Sequence, residues 1–81
     1  MAKSIKVIER KMGREKAVGM AFEHDEIHID PRQTAKEECD TYIHEVIHLI
    51  FPNWKERKVA ATARKISSFL WKQGFRRVKL K

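Results

Sequence analysis

Five residues near the middle of this 81-residue chain, His44-Glu45-Val46-Ile47-His48, have types and a spacing that can do chemistry. On an α-helix two histidines four residues apart stand on one face, so both imidazoles can reach a single metal ion, and the glutamate between them is left beside the open coordination position. Such an arrangement suits metal-assisted hydrolysis, with Zn2+ as the expected ion and Glu45 as the base that takes a proton from water. The competing explanation is a solvated helix surface on which Asp40 and His44 form an ordinary i,i+4 pair and Glu45 has no role.

The surrounding chain supplies the helix. Thr34-Ala35-Lys36-Glu37 has the pattern of a capping box, and Pro52 disfavours helical geometry at Phe51, so the helix is expected to start near Thr34 and end there. Ala35, Cys39, Tyr42, Ile43, Val46, Ile47 and Ile50 recur at helical spacing and are expected to form one buried face. Glu37, Asp40, His44 and His48 project on the opposite arc, towards a cleft, and Asp40 is placed to orient a ligand histidine.

A second helix is expected from Asn53 as N-cap to about Gln73, with Gly74 allowing a left-handed stop. Its inward stripe is Val59, Ala60, Ala63, Ile66 and Leu70, and Glu56 falls at the centre of that stripe. A carboxylate there needs a partner, which a metal held by two histidines can provide. Asn53-Trp54-Lys55-Glu56 is equally a capping pattern that puts Glu56 in place for structural reasons. His28 and His24, upstream, are rival third ligands.

Before these helices, Ile5 to Arg10 alternates as a strand does, and Met12-Gly13-Arg14 has the character of a turn. Ala17 to Phe22 is a second strand, Glu23 to Glu26 a tight connection, and Ile27 to Asp30 a third strand with its isoleucines on one face. Pro31 stops it. The expected architecture is α+β: a small, mainly antiparallel sheet of about three strands followed by two helices, the first carrying HExxH.

Eighty-one residues with 42% hydrophobic content imply one small domain, 1–81, near the lower limit for a self-sufficient core, to which a bound metal can add stability. The lone Cys39 excludes an internal disulfide, no apolar stretch is long enough to span a bilayer, and the start of the chain lacks the apolar run of a signal peptide. A cytoplasmic location without membrane association is the expectation. The net charge of +7 favours polyanionic or acidic partners. Arg57, Lys58, Arg64, Lys65 and Lys72 share the outward side of the second helix with Trp71, and Arg76, Arg77, Lys79 and Lys81 continue the charge, which is a nucleic-acid patch, a docking surface for an acidic protein, or a solvated face with a basic tail.

Ile27-His28-Ile29-Asp30-Pro31, a short acidic run, Thr41 to His48 and then a helix bearing Glu56 resemble the minimal zincin peptidases, in particular the small SprT-like and ImmA/IrrE-like bacterial and phage proteins. The likeness covers roughly residues 17 to 75, with HExxH as its specific part. It implies a short sheet, an active-site helix, a following helix that supplies a third ligand, and a zinc metallopeptidase that acts on protein or peptide substrates. The strand before the active-site helix would border the cleft and pair with an extended peptide, which assigns substrate contact to Ile27, His28 and Ile29. Phe51 and Trp54 stand where metzincins have glycine and histidine, so that subclass is excluded. No histidine follows His48. The third ligand is then a carboxylate or lies upstream, and choosing Glu56 moves the resemblance towards the gluzincin type. Two other function classes stay open: a zincin-fold module that only binds, and a small basic nucleic-acid-binding protein.

Overall fold

A computed structural model of the chain describes residues 4–13, 17–22 and 24–78. Arg14, Glu23, Lys79 and Lys81, named above, lie outside them. The elements are β1 (Lys6–Glu9), β2 (Gly19–Phe22), β3 (Glu26–Ile29), α1 (Ala35–Ile50) and α2 (Glu56–Lys72), an α+β arrangement of a three-stranded sheet followed by two helices.

The strand order is β1-β3-β2. β2 and β3 pair antiparallel, with Met20 opposite His28, and His24 and Asp25 at their junction both adopt left-handed backbone (φ 68° and 56°), as tight hairpin turns require. β1 pairs parallel with β3, Val7 beside Ile27, so the sheet is mixed where a mainly antiparallel one was expected. The reason lies in β3. Its Ile27 and Ile29 are completely buried, and placing that strand in the middle pairs both of its edges. Since β3 returns from β2 in the direction of β1, the new neighbours run parallel.

On the helix-facing side of the sheet, Gly19 and Ala21 of β2 align with Ile29 and Ile27 of β3, and these small residues let α1 lie close. Asp30 closes the end of β3. Its carboxylate accepts from the Met12 backbone amide (3.0 Å), the Arg32 backbone amide (3.0 Å) and two guanidinium nitrogens of Arg32 (2.9 and 2.6 Å), so it ties the loop after β1 to the entry of α1. These donors hold its carboxyl well below the usual carboxylate range, the Arg32 side chain contributing most.

The capping box at Thr34 and Glu37 forms in both directions, at 3.2 and 3.1 Å. Burial along α1, however, differs from the single apolar face expected. The buried residues are Glu38, Thr41, Glu45 and Ile47, whereas Ile50 is exposed. The helix is covered on two sides, by the sheet and by α2, and the side that meets the sheet carries polar residues that apolar periodicity cannot register. Against α2, Ile47 forms a core with Val59 and Ala63, flanked by Ile43 and Trp54.

α2 starts at Glu56 with Lys55 as an uncapped N-cap, not at Asn53. The Trp54 amide donates to the Phe51 carbonyl (3.1 Å) and the two rings stack at 4.3 Å, so residues 51–54 make a separate turn. At its other end α2 stops as expected at Gly74 (φ 89°), with Gly74 and Phe75 amides donating to the Trp71 and Leu70 carbonyls. Among the described residues no helix is long and apolar enough to cross a membrane.

Candidate metal centre

The antiparallel pairing of α1 and α2 brings the last turns of α1 over the first turn of α2. His44 Nε2 lies 2.7 Å from Glu56 Oε1, His48 Nε2 lies 2.8 Å from Glu56 Oε2, and the two imidazole nitrogens are 3.2 Å apart. Three groups that can each offer a lone pair thus converge on one point. The histidines are half-buried, while the Glu56 side chain is 67% exposed at the rim. Glu56 is therefore not on the apolar stripe. It sits at the start of the helix and turns towards the histidines.

Does this donor set fit zinc? With Zn–N bonds of about 2.0–2.1 Å, tetrahedral geometry separates neighbouring ligand atoms by about 3.3 Å. The His44–His48 separation matches. The two contacts to Glu56 are hydrogen-bond lengths, so ligation requires its carboxylate to withdraw by about half an ångström, which an exposed side chain can do. Two neutral imidazoles and one carboxylate are a ligand set of catalytic zinc sites.

Glu45 stands beside this triad and is buried at 8% exposure. Burial raises its carboxyl pKa, opposed by His48 and supported by the negative charge of Glu56. Its position depends on Gly19, where an added Cβ would lie 2.5 Å from Thr41 Cγ2 and 3.0 Å from Glu45 Oε2. Thr41 cannot easily yield, because its hydroxyl lies 2.6 Å from Gln33 Oε1 and 3.0 Å from the Glu37 carbonyl. Gly19 is thus a residue of the site that sequence reasoning passed over, although a glycine inside an apolar strand run is a signal of close backbone approach.

Glu45 and His48 line one side of an open cleft of about 490 Å³, faced by Met20, Ala21 and Phe22 of β2, His24 and Asp25 of the hairpin turn, and Leu49 and Pro52. β2 is the edge strand that borders it. Ile27, His28 and Ile29, expected to contact substrate, are not among the residues that line it. β3 is the central strand, paired on both edges, and its isoleucines are closed inside the core.

His28 points to the opposite sheet face, where its ring lies 4.4 Å from that of Phe22. Arg10 Nε donates to its Nδ1 (2.7 Å), which leaves Nε2 to carry the proton and donate to Glu26 Oε2 (2.7 Å). Both nitrogens are engaged, so His28 is not a third metal ligand. His24 borders the cleft but stands outside the triad. Asp40 accepts from the Ser67 hydroxyl (3.1 Å) across the helix pair and does not orient His44. The Tyr42 hydroxyl lies between Arg77 Nη1 (3.0 Å) and Glu9 Oε1 (3.4 Å), in the cluster that holds the C-terminal segment against β1 and α1.

Of the expected basic surface, Arg77 is occupied in that cluster, Arg76 stacks on Trp71 and Lys58 lies over Trp54. Arg57, Arg64, Lys65 and Lys72 are exposed. Compared with known proteins, the chain matches no family model, no curated protein and no solved structure.

Proposed function

We propose that the protein is a zinc-dependent peptidase in which His44, His48 and Glu56 hold the metal and Glu45 is the general base. The observation that carries this reading is the convergence of the three donor groups beside a buried glutamate, in a cleft bordered by an edge strand. Zinc held by His44, His48 and Glu56 would supply Lewis acidity and acidify water at the site. Glu45, whose burial raises its proton affinity, would accept a proton from water at its carboxylate and return it to the leaving amine. The outer edge of β2 offers backbone groups to an extended substrate, and Ala21 and Leu49 give its side chains an apolar surface.

The hydrogen-bond lengths at Glu56 favour one competing reading. If each histidine donates its own Nε2 proton to a different Glu56 oxygen, the same three residues form a latch between α1 and α2, and the fold is a binding module without metal. Zinc content of protein purified without chelator separates the two. The peptidase reading expects about one zinc per chain, lost in His44→Ala and strongly weakened in Glu56→Ala; substoichiometric zinc that His44→Ala leaves unchanged overturns it.

A further inference from the structure

All 11 acidic residues of the chain lie within the first 56 positions, together with nine of the 18 basic ones. The last 25 positions hold the other nine basic residues and no acidic one, so the first part carries −2 and the last part +9 of the net +7. This segregation is not spread around α2. Arg57, Arg64, Lys65 and Lys72 are exposed and fall on one outward arc at spacings of seven or eight residues, which on a helix is roughly 10–12 Å between successive cations. Among the described residues no carboxylate pairs with any of these four.

Between them Ala61 and Ser68 are small, and the long neighbours leave a shallow trough of about 460 Å³ along the helix. Phe69 forms part of its wall and keeps 61% of its surface exposed.

We propose that this outward face of α2 binds single-stranded nucleic acid, with the four cations on phosphates spaced along the strand and Phe69 stacking on an unpaired base. From Arg57 to Lys72 the ridge is about 22 Å long, enough for a short run of nucleotides. The exposed ring decides for single strands, since a base within a duplex has no free face to offer it. A lipid surface suits this face less well. An interfacial helix needs an apolar stripe, whereas here the cations alternate with Ala61 and Ser68. The site does not rest on the metal chemistry, because none of its residues belongs to the triad.

The test is fluorescence anisotropy of a labelled 12-nucleotide oligothymidylate titrated with the full chain at several salt concentrations. The expected result is binding that weakens with salt at a logarithmic slope of about −3, for four neutralised phosphates. R64A/K65A is expected to flatten that slope by about 1.4, and Phe69→Ala to weaken binding by about tenfold at an unchanged slope. All three positions are exposed, and circular dichroism of each variant checks that the fold is kept. Equal or tighter binding of a 12-base-pair duplex, binding of anionic phosphatidylserine vesicles without binding of the oligonucleotide, or an R64A/K65A variant that binds as the wild type does would each overturn the proposal.

Discussion

At Gly19 the absence of a single methyl group decides where a carboxylate can stand. An alanine there meets Thr41 Cγ2 at 2.5 Å and the Glu45 side chain at about 3 Å, and Thr41 is pinned by Gln33 and Glu37. Gly19→Ala is therefore expected to destabilise the fold by about 1–3 kcal/mol through overpacking, a loss of roughly 4–8 °C in melting temperature for each kcal/mol. Thermal unfolding by circular dichroism checks it. Legibility at this scale followed the range of the interaction. The Thr34–Glu37 capping box was readable because both partners lie within one turn, and His44 with His48 because helical spacing alone aligns them. Glu56 was only half readable. Its reach towards the histidines depends on how α2 docks, and the turn at residues 51–54, set by Phe51 stacking on Trp54, shifted the helix start away from Asn53.

Among the elements, β3 and the loop that follows it fix the platform on which α1 stands. Alternation revealed the strand, and its position was hidden. Nothing local says that β3 will lie between its two predecessors, yet that order makes the β1 pairing parallel and turns β2 into the edge that borders the cleft. The same limit applies to α1, whose sheet-facing residues Glu38, Thr41 and Glu45 are polar and thus invisible to an apolar count. Asp30 joins these elements, and its depressed pKa makes the junction sensitive to acid. A carboxyl that is more acidic in the folded state contributes stability above its unfolded value of about 3.9, and loses it as pH falls from there through the folded value. Asp30→Asn is expected to lower the melting temperature at pH 7 and to flatten its decline below about pH 4. Melting curves between pH 2.5 and 7 read both effects.

For the whole molecule, the proposed metal site and the small size belong together. A chain of 81 residues has little core to spare, and a ligand bridging α1 to α2 adds its binding free energy to that of folding. At a free zinc concentration 100 times the dissociation constant this contributes about 2.7 kcal/mol. Zinc is accordingly expected to raise the melting temperature by about 10–20 °C, an effect that chelator reverses and His44→Ala abolishes. A differential scanning calorimetry series with and without zinc measures it.

The most direct measurement compares hydrolysis of a fluorescently labelled unfolded protein by the zinc-loaded wild type and by zinc-loaded Glu45→Gln at equal metal content. The peptidase account predicts cleavage by the wild type and a rate at least about 100-fold lower for the variant, since removal of a general base costs on the order of 10² to 10⁴. Cleavage by both proteins at the same rate, or by neither, would contradict it.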